Sequence, residues 1–184
     1  MARFPITVGS YASVELNQVA FPKTGMVVSQ TPLADVFTKA APCENGMWLS
    51  ANKSAGVLAP IANVTDPAVG IAYTAEKEYG YYDIGLASHC WVAGDYPRVG
   101  ILGMGDTITT NCLQYDTNEF ADFAALETAL AAAATTPVYV VPVANDAVPK
   151  LTATKPQAGV YGVVTKYYTV PNGDKGVKYQ IIHI

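Results

Sequence analysis

The chain has 184 residues, enough to bury a substantial core. It is 51% hydrophobic and only 14% charged, against about 25% charged in an average soluble domain, which points to a body whose surface is partly covered by partners or to a soluble β domain with a Thr, Asn and Ser surface. A net charge of −4 with no basic stripe argues against direct nucleic-acid binding, because nothing is placed to neutralise a row of phosphates.

Residues 1–41 show no amphipathic period. They hold Pro5, Pro22 and Pro32 among short β-prone pieces at 6–8 and 26–29. An extended N-terminal arm is expected here, or a loop-rich edge segment of the main domain. Phe4, Phe21 and Phe37 suit either reading. The opening MARFPITVGS lacks the apolar run of a signal peptide, so synthesis in a cytoplasm without ordinary export is expected. No window reaches the roughly 18 apolar residues of a membrane-spanning helix.

Residues 42–184 read as a β-rich domain. Glu44-Asn45-Gly46 is a turn, because Asn-Gly accepts positive φ cheaply. A strand anchored by Trp48 is predicted at 47–51, a turn at 53–56, and a strand at 57–62. Asp66-Pro67 breaks the chain before the short buried strand 70–74. The densest charge cluster follows, Glu76, Lys77 and Glu78, and runs into Tyr79, Tyr81 and Tyr82. Aromatic rings with polar tips beside charge suit a contact patch, and they equally suit a strand end packed on its own domain. A strand with Trp91 is predicted at 89–93.

The segment PRVGILGMGDTITTNC (97–112) reads as strand, turn, strand: a hairpin closed at Gly105-Asp106. Residues 118–134 read as the one helix, with Asn118 as N-cap and Glu119 and Asp122 at the positive end of its dipole. Phe123, Leu126 and Leu130 form its apolar stripe. Strands are predicted again at 138–143, 150–154, 160–170 and 177–182. Pro142 marks an edge or a bulge in the first of these, and Asn172-Gly173-Asp174 turns between the last two. The fold class is therefore mainly β with a minor α component: small barrel or sandwich units, one helix and an extended arm.

The sequence also echoes itself. LSANKSAGVLAP (49–60) and PVANDAVPKLTA (142–153) share Ala-Asn, and Leu58 and Leu151 each follow seven residues after the Ala. Each continues to a strand entered by glycine, Gly70 and Gly162. A pseudo-repeat of 44–116 and 137–184, bridged by the helix at 118–134, is one reading; recurrence of similar β units by chance is the other.

Catalytic patterns are weak. His89 and Cys90 are adjacent, so on a strand they face opposite ways, and Cys43, Cys90 and Cys112 have no paired ligand spacing. GILGMGD lacks the Gly-Lys-Ser/Thr of a phosphate loop, and no GxSxG stands in the chain. No catalytic residue, cofactor or metal is expected, and the thiols read as small buried hydrophobes.

ENGMWLSANKSAGVL, VGIAYTAEKEYG, PRVGILGMGDTITTNC and the closing YYTVPNGDKGVKYQIIHI resemble auxiliary structural proteins of tailed bacteriophages, of the capsid decoration (cement) or head-fibre-base type. The resemblance covers about 44–184 and rests on β-turn patterns. It implies a β-rich, non-enzymatic virion protein, made in the bacterial cytoplasm, that binds the outside of the assembled head and strengthens it. The implied partners are the major capsid protein and further copies of the chain, as a homotrimer or another oligomer, with no nucleic acid and no membrane. Candidate contact residues are Arg3, Phe4 and Tyr11 from the arm, and Glu76, Lys77, Tyr79, Tyr81 and Tyr82 from the charged aromatic patch. A tail, neck or head-fibre component that binds a host surface is a second reading. A carbohydrate-binding module with Trp48 and Trp91 as sugar platforms is a third.

Overall fold

The computed structural model of the chain describes residues 1–6, 11–15, 21, 25–51, 55–66, 68–73, 90–169 and 173–183. Its strands, in chain order, begin with β1 (Ala2–Arg3), β2 (Val27–Val28), β3 (Cys43–Glu44), β4 (Trp48–Ser50), β5 (Ala59–Pro60), β6 (Val69–Tyr73) and β7 (Cys90–Trp91). They continue with β8 (Arg98–Ile101), β9 (Thr107–Thr110) and β10 (Gln114–Tyr115). After helix α1 (Phe123–Ala131) come β11 (Tyr139–Val143), β12 (Asp146–Thr152), β13 (Tyr161–Thr169) and β14 (Lys175–His183). The fold is mainly β, and among the described residues no sheet closes into a barrel.

Two sheets carry the body. One has the order β2-β8-β6-β4-β5, antiparallel throughout. The other has the order β1-β10-β12-β11-β13-β14-β9, in which β10 and β12 form the parallel pair. A small pair, β3 with β7, stands apart. Alternation is plain on β14, where Val177, Tyr179 and Ile181 are buried while Gln180 and Ile182 face out. Trp48, Val69 and Ile71 of the first sheet share one apolar cluster with Ile108, Val140, Leu151, Tyr179 and Ile181 of the second. A second cluster sets Leu49, Ala72 and Val99 against Leu33, Phe37, Cys43 and Trp91. The five-stranded sheet therefore buries both of its faces.

The segment 97–112 is not a hairpin. Its two strands, β8 and β9, lie in different sheets and do not pair with each other. β8 finds its partners in β6 and β2, and β9 finds its partner in β14. The turn chemistry is nonetheless present: Gly105 has φ +97°, and the Asp106 carboxylate accepts from the Gly103 N–H at 2.6 Å. Gly105 N–H then donates to Ile181 O at 2.7 Å, and Ile181 N–H to Asp106 O at 2.9 Å. The turn is held by β14, so it becomes a joint between sheets.

The helix is shorter than its pattern. Asp122, not Asn118, is the N-cap, and its side chain accepts from Ala125 N–H at 2.8 Å. Asn118 is captured earlier, donating its backbone and side-chain N–H groups to Asp116 Oδ1, each at 3.0 Å. Glu119 is drawn away to β12, where its carboxylate accepts from Thr152 Oγ1 and Ala153 N–H at 2.8 Å. The expected stripe does face inward: Leu126 and Leu130 are buried, and Phe123 meets Phe4 edge-on at 5.0 Å. Pro142 sits at a register shift between Val141 and Val143, where a missing N–H costs no ladder bond.

Candidate contact surface

No group of three or more His, Cys, Asp or Glu among the described residues is arranged to hold a metal ion. The thiols match buried hydrophobes at two of three positions. Cys43 and Cys112 are fully buried, and Cys90 is half-buried. Burial raises the Cys43 thiol well above its ordinary value and pushes Cys112 up to about 12. Both are therefore poor nucleophiles at neutral pH. His89 lies outside the described residues. His183 stacks on Tyr161 at 5.3 Å, with Nδ1 2.9 Å from Gly159 O.

Of the arm residues named from the sequence, Phe4 is buried, Tyr11 half-buried and Arg3 exposed, and all three contact their own chain. β1 pairs with β10, setting Ala2 opposite Tyr115 and Arg3 opposite Gln114. The Arg3 guanidinium reaches Glu44 at 3.0 Å, and the same Glu44 oxygen accepts from Ala12 N–H at 2.6 Å. Phe4 is buried, with its N–H bonded to Leu113 O. Tyr11 is half-buried, and its hydroxyl is raised above its ordinary value, first by a hydrogen bond to the Cys90 thiol. The structure thus gathers Arg3, Tyr11 and Glu44 into one intramolecular strap. Glu76, Lys77, Tyr79, Tyr81 and Tyr82 lie outside the described residues.

Two grooves are lined by described residues. One, of about 580 Å³, runs between Pro142 and Val143 on one side and the 154–158 loop on the other, with Lys150 and Glu119 in its wall. Its charges are partly committed: Glu119 to Thr152 and Ala153, and Lys150 Nζ to Asp116 at 3.6 Å. The other, of about 460 Å³, lies beside the strap, lined by Arg3, Phe37, Glu44, Gln114 and Asp146. Gln114 is held there by Asp146 Oδ2 at 2.9 Å and Val148 O at 2.6 Å.

The sheet edge at β2 offers a different kind of surface. Among the described residues β2 ends the five-stranded sheet, and Val27 and the flanking Met26 are 43% and 49% exposed there. Only Val28 of this run turns inward. Met104, in the joint between the sheets, is 59% exposed. An apolar terminal strand is unusual, since natural edges are commonly guarded by charge or proline. From the sequence this run is a β-prone piece of the arm or edge segment 1–41 and not one of the named contact residues, because a short apolar run does not show its place in a sheet. Comparison with protein-family models, with curated proteins and with solved structures finds no match for the chain.

Proposed function

We propose that the chain is a structural virion protein that binds the outer surface of a tailed-bacteriophage head and stabilises the shell. The observation that carries this reading is the apolar run at β2, the strand that ends the five-stranded sheet among the described residues, where Val27 and the flanking Met26 are exposed. Strand addition to such an edge supplies main-chain hydrogen bonds, and the outward side chains supply apolar contact. The low charge content suits a surface that is covered in use, and the resemblance of the turn motifs to capsid decoration proteins names the partner, the major capsid protein. Self-association on the shell and a place on the virion exterior belong to the same proposal. The sugar-platform reading loses support, because Trp48 and Trp91 are both buried and offer no ring face to a ligand.

The test is sedimentation of purified protein with undecorated heads. The wild-type chain co-pellets with heads, and Val27→Lys loses co-pelleting while keeping its melting temperature. Wild-type protein that stays in the supernatant across salt and concentration overturns the proposal.

A further inference from the structure

We infer that the chain is a fused pair, two copies of one five-stranded unit whose mutual packing surface is one that a two-chain protein would use between subunits. The inference does not rest on the capsid reading. It starts from strand order. In chain order, the first sheet is made of β2, β4, β5, β6 and β8, and it is arranged β2-β8-β6-β4-β5. Within the second, β9, β11, β12, β13 and β14 are arranged β9-β14-β13-β11-β12. Both run first-fifth-fourth-second-third, and every one of these pairs is antiparallel.

Registers agree as well as order. Leu49 lies between Pro60 and Gly70, and Val140 lies between Leu151 and Gly162. Gly70 then pairs with Ile101, and Gly162 with Ile181. Val27 and Val28 face Gly100 and Val99, as Thr107 and Ile108 face Gln180 and Tyr179. Flanking hydrogen bonds repeat: Ile101 N–H to Met26 O at 3.0 Å matches Ile181 N–H to Asp106 O at 2.9 Å. Ala72 N–H to Met47 O at 2.8 Å matches Val164 N–H to Val138 O at 2.9 Å. Even the parallel contact recurs, Leu33 beside Leu58 and Tyr115 beside Leu151.

Steric reasons repeat at the two glycines. A Cβ on Gly70 would stand 2.4 Å from Val99 Cγ1, and one on Gly162 would stand 2.9 Å from Tyr179 Cδ2. Common topology alone does not require glycine at the same ladder position against the same neighbour. The two units meet through Trp48 and Tyr179, and through an Ile61–Asp146 bridge with Asn145 N–H on Ile61 O at 2.7 Å. The covalent joint is the turn at 102–106. The second unit carries α1 as its elaboration, between β10 and β11.

The experiment uses the full chain with a protease site inserted after the exposed Met104, and a second full chain with the site after Lys155. Each is purified folded, checked for the wild-type melting temperature, cut, unfolded in denaturant and diluted. Cutting after Met104 leaves each unit whole, so native near-ultraviolet dichroism returns. Cutting after Lys155 separates β11 and β12 from β13 and β14, so the signal is lost. Equal recovery from both cuts, or failure of the Met104 cut alone, overturns the inference. Should either insertion lower the melting temperature, hydrogen exchange of the unmodified chain in rising denaturant decides. Two blocks of amides that open separately, with a boundary at 102–106, support the fused pair; blocks that cut across the sheets sink it.

Discussion

The indole Nε1–H of Trp48 donates to the hydroxyl of Tyr179 at 3.0 Å, and both side chains are fully buried. Trp48 lies on β4 and Tyr179 on β14, so one hydrogen bond and one ring contact, with centroids 6.0 Å apart, cross between the two sheets. Buried Trp and Tyr need a partner for their polar ends, and here each supplies the other's. Burial raises the Tyr179 hydroxyl far above its ordinary value, and the hydrogen bond from Trp48 opposes the rise.

Tyr179→Phe keeps the ring and strands the indole N–H, so it is expected to cost about 1–3 kcal/mol. Trp48→Phe removes the donor and leaves a cavity as well. Urea unfolding of both single variants and the double variant gives the coupling between them. Additive losses would show that the hydrogen bond contributes nothing between the sheets.

Gly70→Ala and Gly162→Ala are expected to destabilise by about 1–3 kcal/mol each through overpacking. At Gly70 the new methyl strikes Val99 Cγ1 and comes within 3.1 Å of Gly100 O. At Gly162 it meets the Tyr179 ring and lies 3.0 Å from Gln180 O. Thermal melts check this, and a neutral outcome at either site would show that its neighbour strand can move aside.

Native thiol labelling at about pH 8 is expected to modify Cys90 and spare Cys43 and Cys112. The spared pair is fully buried, and burial holds both thiols protonated, with Cys112 near 12. Mass spectrometry after alkylation counts one modified cysteine in the native chain and three in denaturant. Rapid native labelling at Cys112 would contradict its packing.

Asp116 is held below its ordinary carboxylate value, chiefly by the Asn118 backbone N–H and also by Lys150. Its folded value lies below its unfolded one, so its stabilisation is complete above the unfolded value. That stabilisation is lost as pH falls through the folded value. Asp116→Asn should therefore lower the melting temperature in the neutral range and leave it little changed at the acid end, which flattens the acid limb between about pH 2 and 6. An unchanged acid limb would assign it to other carboxylates.

Much of the local structure was legible in the sequence. Strands anchored by Trp48, Gly70 and Trp91 lie within a residue or two of their predicted places. Asn145 does turn the chain, at φ 59°, as an Asn can with little strain. The helix was visible from Leu126 and Leu130, but its start was not. Three acceptors compete there, and only the fold shows that Asp116 takes Asn118, that Thr152 and Ala153 take Glu119, and that Asp122 is left to cap. Of the contact residues, Arg3 and Phe4 were placed in an arm, and β1 shows that arm laid against its own sheet.

By itself the sequence determined that the chain turns at Gly105-Asp106, because turn chemistry is local: a glycine free to take positive φ and a carboxylate within reach of the Gly103 N–H. Only the tertiary structure decided that the turn joins two sheets. A period of two shows that residues 98–101 and 107–110 are strands, yet it names no partner for them. Their partners are β6 and β2 on one side and β14 on the other. That choice depends on which pairing lets Trp48, Ile71, Tyr179 and Ile181 share one core, a balance settled between residues far apart in the chain.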